Sequence, residues 1–152
     1  MNAFRQNIPD KTFETLNQQG GYSRLAVSPG IINKHYTPAQ FQKIAEIVGE
    51  KGAIKYSASY SILLSIPSSE LTEATHALQE AGLFVASSGP HIAMKACDFC
   101  DGEKMEAVPQ TEQLYQALDG ITVPTRVRVN VNGCASACYN PTYDDIGLVY
   151  QH

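Results

Sequence analysis

The stretch A-I-K-Y-S-A-S-Y-S-I-L-L-S-I-P, residues 53–67, decides the fold of the first half of this chain. Apolar side chains alternate twice along it, at Ile54, Tyr56 and Ala58 and then at Ile62, Leu64 and Ile66. A period of two is typical of β-strands, and Pro67 closes the second run because proline cannot donate to a strand ladder. The stretch therefore predicts a pair of strands, or one long bent strand.

A helix is predicted on each side of this stretch. Upstream, T-P-A-Q at residues 37–40 supplies an N-cap threonine, a proline at the first helical position and a glutamine that completes a capping box. Downstream, S-S-E-L opens a second helix, and Gly82 stands where a C-terminal cap belongs. Strands are predicted at residues 24–28 and 83–87. The order β-α-β-β-α-β is that of the ferredoxin-like split βαβ arrangement.

Composition argues against two classes of partner. The 152 residues carry a net charge of −4 and show no cluster of lysine and arginine, so nucleic-acid binding has no electrostatic support. No apolar run approaches the roughly 18 residues that a membrane span needs, and the N-terminal residues lack the apolar core of a signal peptide. We therefore expect a cytoplasmic protein, in which thiols stay reduced.

The second half of the chain contains all four cysteines, arranged as two close pairs. C-D-F-C occupies residues 97–100 and N-G-C-A-S-A-C occupies residues 132–138. Each pair directly follows a predicted strand, at residues 91–96 and 126–131, and a helix is predicted between them at 110–119. Two loops at strand ends can bring four sulfur atoms to one metal centre.

The spacing leaves three interpretations open. A [4Fe–4S] cluster takes four thiolates and tolerates varied spacing. A zinc ribbon repeats Cys-x2-Cys with a gap of about 15–20 residues, whereas the second pair here is Cys-x3-Cys and the residues 101–133 separate the pairs. The third interpretation is disulfides or free cysteines. Soft thiolates favour a metal centre, and of the two centres the spacing favours the cluster.

The module at residues 24–88, followed by A-C and by N-G-C-A-S-A-C-Y-N, resembles the nitrite and sulfite reductase family. That family joins a ferredoxin-like half domain to a domain that binds a [4Fe–4S] cluster and sirohaem. The resemblance implies an α+β chain in three parts. These are an N-terminal arm at 1–21, a ferredoxin-like βαββαβ half domain at 22–90, and a small α/β iron–sulfur cluster-binding appendage at 91–152.

By position, the resemblance also implies which residues bind the cofactors. The implied cluster ligands are Cys97, Cys100, Cys134 and Cys138. Cys138 would bridge to the sirohaem iron if that group is bound, and Asn132 and Gly133 would shape the second loop. Arg126 and Arg128 lie on one face of their predicted strand and are candidates for binding an anionic cofactor or an acidic redox partner.

Together these features predict an iron–sulfur redox protein that binds a [4Fe–4S] cluster and exchanges electrons with a ferredoxin-like donor or acceptor. Two alternatives stay open. One is a sirohaem- or tetrapyrrole-dependent sulfite or nitrite reductase, and the other is a zinc-stabilised binding module with no redox role. If the chain is an enzyme, the resemblance implies an oxidoreductase of the nitrite and sulfite reductase type. A single half domain would bury its sheet surface by forming a homodimer.

Overall fold

The computed structural model describes residues 21–57, 61–87 and 90–151. Within these ranges the chain is of mixed α+β type, with two sheets, three α-helices and several short 3-10 turns, so the predicted class is confirmed. Two compact units are present, and the segment Pro29–His35 groups with the second. The predicted arm lies outside the described residues except for Gly21. No described helix is long and apolar enough to span a membrane.

The first unit contains a four-stranded sheet and two helices. Its elements are β1 (Tyr22–Ser28), α1 (Pro38–Val48), β2 (Ala53–Tyr56), β3 (Ile62–Pro67), α2 (Leu71–Glu80) and β4 (Phe84–Ser87). The strand order is β2-β3-β1-β4, and every neighbouring pair is antiparallel. The stretch 53–67 is therefore a pair of strands, as predicted. The order of elements and strands is what a split βαβ arrangement requires.

Helix α1 begins where the sequence predicts. Thr37 Oγ1 accepts a hydrogen bond from the Gln40 amide at 3.2 Å, and Gln40 Oε1 accepts one from the Thr37 amide at 2.9 Å. Pro38 is the first helical residue and Gly49 is the C-cap. This reciprocal cap satisfies two amide donors that the first helical turn leaves without a partner.

The core of the first unit lies between the sheet and its helices. Its fully buried members are Leu25, Val27, Ile44, Val48, Ile62, Leu64, Ile66, Ala74, Leu78 and Leu83. The alternation on β3 is thus confirmed as an inward face. Ile54 and Tyr56 alternate in the same way but are exposed, because β2 is an edge strand with a neighbour on only one side.

The second unit is a three-stranded parallel sheet with one helix. Its elements are β5 (Ile92–Ala96), α3 (Val108–Leu118), β6 (Val127–Asn132) and β7 (Ile146–Val149), and the strand order is β5-β6-β7. Helix α3 forms the connection that parallel neighbours β5 and β6 require. Val108 and Thr111 are its buried residues, and Ala117 is exposed. The domain boundaries at 22–90 and 91–152 stay predictions.

A smaller core supports this second unit. Its buried members are Ala96, Phe99, Ala107, Val108 and Val131, and the partly buried residues packed against them include Ile31, Ile32 and Cys97. Ile31 and Ile32 belong to the segment Pro29–His35, which leads from β1 to α1 in sequence. This segment therefore contributes its apolar side chains to the same cluster as the first cysteine pair.

Candidate functional site

Two cysteine loops follow β5 and β6 at the same edge of the parallel sheet. We call residues 97–104 the first cysteine loop and residues 133–140 the second. The Cys97 amide donates to the Val131 carbonyl at 2.9 Å, which extends the β5–β6 pairing by one residue. The Gly133 amide donates to Cys97 Sγ at 3.2 Å. The carboxyl ends of parallel strands are where open α/β sheets bind ligands.

Gly133 is required by the close packing of the two loops. A Cβ atom on Gly133 would lie 2.7 Å from Phe99 Cδ1, and it would lie 3.7 Å from Cys97 Sγ. Phe99 is buried in the second core, so its ring has little room to move. The absence of a side chain at Gly133 therefore allows the second loop to approach the first within hydrogen-bonding distance.

The electrostatic environment differs between the cysteines. Hydrogen bonds from the Ser136 amide and hydroxyl lower the pKa of the Cys134 thiol, and Lys104 lowers it further. Partial desolvation raises the pKa of the Cys100 thiol, with additional contributions from Asp98 and from Cys134. Cys100 therefore lies within electrostatic reach of the second loop, and Cys134 is the thiol that more readily becomes a thiolate.

Both loops contain strained backbone. Within the described ranges, the non-glycine residues with positive φ are Phe99, Cys100, Asp101, Ala137 and Asn140, and all five belong to these loops. A left-handed conformation costs an L-residue roughly 1–2 kcal/mol. Such strain persists only where surrounding contacts hold it, and it is concentrated at functional sites. The backbone thus indicates the same region of the molecule as the cysteines do.

A buried polar network holds the second cysteine loop, and the sequence analysis missed it. Asn130 and Asn132 are buried on β6, on the face opposite its valines. Asn130 Nδ2 donates to the Tyr139 carbonyl and to Asp144 Oδ2, both at 2.8 Å. Asn132 Oδ1 accepts from the Tyr139 amide at 3.1 Å. The alternation of polar residues with valines on a central strand was the sequence signal that could have identified this network.

Cationic side chains complete this network at Asp144, whose side chain is 4% exposed. Lys95 Nζ lies 2.8 Å from Asp144 Oδ2, and Arg128 Nε lies 3.7 Å from Asp144 Oδ1 and 3.6 Å from Asp145 Oδ2. The guanidinium of Arg128 thus already has two carboxylate neighbours within the protein. Arg126 is exposed immediately before β6.

Lys34 is a further candidate that the sequence analysis did not identify. Its amine donates to the Ile31 carbonyl. Burial lowers the pKa of Lys34 to about 8, against the opposing effects of Cys97 and Asp98. His35 Nε2, on the neighbouring residue, lies 3.6 Å from Asp101 Oδ1 in an exposed pair. Lys34 and His35 therefore both lie beside the first cysteine loop.

The predicted metal ligands converge only in part. The hydrogen bond to Cys97 and the electrostatic influence of Cys134 and Cys138 on Cys100 place the two pairs in one region. However, the described residues contain no group of three or more histidine, cysteine or acidic side chains arranged to hold a metal ion. The loops are neighbours, but they do not form an assembled ligand set.

Two curated proteins are similar to this chain, and no family model matches it. A cobalt-factor III methyltransferase of Priestia megaterium is 43% identical over 127 residues, which cover 84% of this chain and 24% of that protein. An uncharacterized protein of Methanocaldococcus jannaschii is 25% identical over 134 residues, which cover 85% of this chain and 47% of that protein. The chain thus spans about a quarter of the length of the first relative and about half of the length of the second.

Among solved structures, the chain resembles dissimilatory sulfite reductase I, with a TM-score of 0.57 and 18% identity. The similarity covers 78% of this chain and 30% of that chain and concerns the fold alone. The identification of this chain with the nitrite and sulfite reductase family is wrong. No family model supports it, and the relative that is 43% identical is named for methyl transfer.

The same findings correct the predicted function. An iron–sulfur electron-transfer protein is wrong, because the 43% identical relative is a methyltransferase and the described residues contain no assembled metal site. The oxidoreductase class and both alternatives, a sirohaem-dependent reductase and a zinc-stabilised module, are corrected with it. Pairs of cysteines are compatible with many ligand sets, so their spacing did not determine the chemistry.

Proposed function

We propose that this chain takes part in the methylation of a cobalt tetrapyrrole. Its proposed role is to bind the tetrapyrrole. The observation that carries this proposal is the 43% identity over 127 residues to a cobalt-factor III methyltransferase. The chain spans 24% of that protein, and tetrapyrrole binding is the role that we assign to it.

The geometry of the second unit supports a binding role at one edge. Both cysteine loops follow the carboxyl ends of parallel strands, where α/β sheets bind their ligands. The buried Asn130–Asp144 network holds the second loop, with its strained residues, in a defined position. A preorganised loop loses less conformational entropy when a rigid macrocycle binds to it. The carboxyl edge of β5 and β6 is therefore the proposed tetrapyrrole site.

Titration of the purified chain with cobalt-factor III, followed by absorption spectroscopy under anaerobic conditions, tests the proposal. We expect saturable binding of one tetrapyrrole per chain. Cobalt(II) alone is the control ligand, because it separates binding of the macrocycle from uptake of the metal by the thiols. Absence of binding at micromolar concentrations would overturn the proposal. So would a spectral change that cobalt(II) alone reproduces.

We propose separately that Cys97, Cys100, Cys134 and Cys138 hold a [4Fe–4S] cluster, with no electron-transfer role assigned to it. Amides of the second loop donate to sulfur at Cys97 and Cys134, which supports this proposal. When bound, the cluster would fix the two loops to each other. Anaerobic reconstitution followed by iron and labile-sulfide analysis tests this. About four of each per chain, lost on Cys97→Ser, supports it, and a chain free of iron contradicts it.

Other predictions are kept as proposals. We propose that the first unit is a ferredoxin-like half domain, which its strand order of β2-β3-β1-β4 supports. A homodimer, a redox partner protein and a cytoplasmic location stay predictions, as does the absence of nucleic-acid and membrane partners. Arg126, Arg128, Asn132 and Gly133 are kept as candidate cofactor-binding residues. Asn132 and Gly133 would act by shaping the second loop, because both are buried.

A further inference from the structure

The ammonium group of Lys34 has N–H donors that can bind a further acceptor. Lys34 is partly buried, and this partial burial lowers the pKa of its amine. Among the described residues it forms no ion pair, and its one hydrogen bond goes to the neutral Ile31 carbonyl. An ammonium has three N–H donors, so two of them remain for another acceptor. Asp98 lies within electrostatic reach of the amine, and an anionic acceptor that also took the remaining N–H donors would favour the charged form further.

The position of Lys34 is fixed by contacts on both sides of it. Ile31 and Ile32 pack against the second core together with Cys97. His35 reaches Asp101 in the first cysteine loop at 3.6 Å. Apolar anchoring before Lys34 and a polar contact after it hold the segment Pro29–His35 against this loop. The amine is therefore held beside Cys97, at the carboxyl edge of the sheet.

We propose that Lys34 binds a carboxylate of the tetrapyrrole at the cysteine loops. This inference rests on the proposed function and adds the residue and the chemical group through which the ligand is held. Tetrapyrroles of the corrinoid and sirohaem type carry several carboxylates around the ring. A lysine with free donors in a partly desolvated position forms a charge-assisted hydrogen bond with such a group. The macrocycle would then lie over the first cysteine loop.

The acidic residues of this loop set the limits of the site. Asp98 acts on Lys34 from within electrostatic reach, and Asp101 faces His35. These carboxylates would repel a second anionic edge of the ligand on their own side. The ligand is therefore expected to present one carboxylate to Lys34 and to direct its other carboxylates away from Asp98 and Asp101.

Binding of uroporphyrin I, a porphyrin with eight carboxylates, provides the test. Fluorescence titration at neutral pH and low salt compares the wild-type chain with Lys34→Gln, Lys34→Arg and Lys51→Gln. Lys34→Gln should bind uroporphyrin I about tenfold or more weakly than the wild type, because the variant lacks a charge-assisted hydrogen bond. Lys34→Arg should retain most of the affinity. Lys51→Gln removes an exposed lysine of the first unit and should bind like the wild type.

Salt dependence gives an independent measurement. The affinity of the wild-type chain should fall more steeply with salt than that of Lys34→Gln, because the variant lacks one ion pair with the ligand. Thermal unfolding first establishes that the wild type and Lys34→Gln are both folded. If the two then show equal affinity and equal salt dependence, the role of Lys34 is overturned and the proposed function is not. No binding of uroporphyrin or cobalt-factor III by the wild type would overturn the proposed function as well.

Discussion

The Gly133 amide donates a hydrogen bond to Cys97 Sγ at 3.2 Å, which joins two cysteine loops that are far apart in sequence. The contact exists because β5 and β6 are parallel neighbours, so the residues that follow them emerge at one edge. It also requires that Gly133 has no side chain, since Phe99 fills the adjacent space.

Gly133→Ala should destabilise the second unit. The new methyl group would lie 2.7 Å from Phe99 Cδ1, which is closer than Cβ contacts allow. We expect a loss of about 1–3 kcal/mol in the free energy of unfolding, measured by urea denaturation. Phe99→Leu in the same chain should restore part of that loss, because the smaller side chain makes room. If the loss in the free energy of unfolding of the double variant equals or exceeds the sum of the two single losses, this account is contradicted.

Asp144→Ala should be strongly destabilising. Asp144 is buried and accepts from Asn130, and it forms the ion pair with Lys95 at 2.8 Å. Removing it leaves Lys95 without its carboxylate and Asn130 Nδ2 with only the Tyr139 carbonyl as acceptor, and we expect a loss of about 3 kcal/mol in the free energy of unfolding. The matched control is the neighbouring Asp145→Ala, an exposed carboxylate, for which the loss should be much smaller. Equal losses for the two variants would show that the network does not stabilise the loop.

Ala137→Gly should stabilise the chain, although glycine usually destabilises. Ala137 has φ +46°, a left-handed conformation that glycine adopts without steric cost. We expect a gain of up to about 1 kcal/mol in the free energy of unfolding. Ala45→Gly, inside helix α1, is the matched control and should lose about 1 kcal/mol. Destabilisation by both changes would mean that Ala137 is not strained.

Cys134 should react with iodoacetamide faster than Cys100 near neutral pH. Its thiol pKa is lowered by donors from Ser136, whereas desolvation and nearby negative groups raise the pKa of Cys100. The thiolate is the reactive species, so the direction of each shift sets the order of the rates. Site-resolved mass spectrometry of the metal-free chain gives both rates. Ser136→Ala should slow Cys134 alone, and an unchanged rate would show that the Ser136 hydroxyl is not a significant donor.

The first unit should lose stability between pH 10 and 12. Burial raises the pKa of Tyr36 from 10.0 to about 12, and its hydroxyl donates to the Val27 carbonyl at 2.8 Å. The folded state thus holds the phenolic proton more tightly, so this contribution is complete below pH 10 and is lost as pH approaches 12. Tyr36→Phe should remove it. If the free energies of unfolding of the wild type and Tyr36→Phe change with pH in the same way across this range, the assignment is contradicted.

The amino-acid sequence by itself determined the elements of the first unit. The capping box at Thr37, the alternation at Ile62, Leu64 and Ile66, and Gly82 after α2 are local signals. They act within a few residues of one another, so short-range patterns are sufficient to identify them. The strands before each cysteine pair were predictable for the same reason.

Only the tertiary structure decided what surrounds the cysteines. Lys34 lies beside Cys97 because the segment Pro29–His35 packs with the second unit, and no local pattern encodes such a long-range contact. The inward direction of Asn130 and Asn132 likewise depends on Asp144 and Tyr139, which follow the second cysteine pair. Spacing alone favoured an iron–sulfur redox role, although thiols with two or three residues between them fit many ligand sets. Which groups lie around the sulfur atoms depends on contacts between distant parts of the chain, and spacing does not report such contacts.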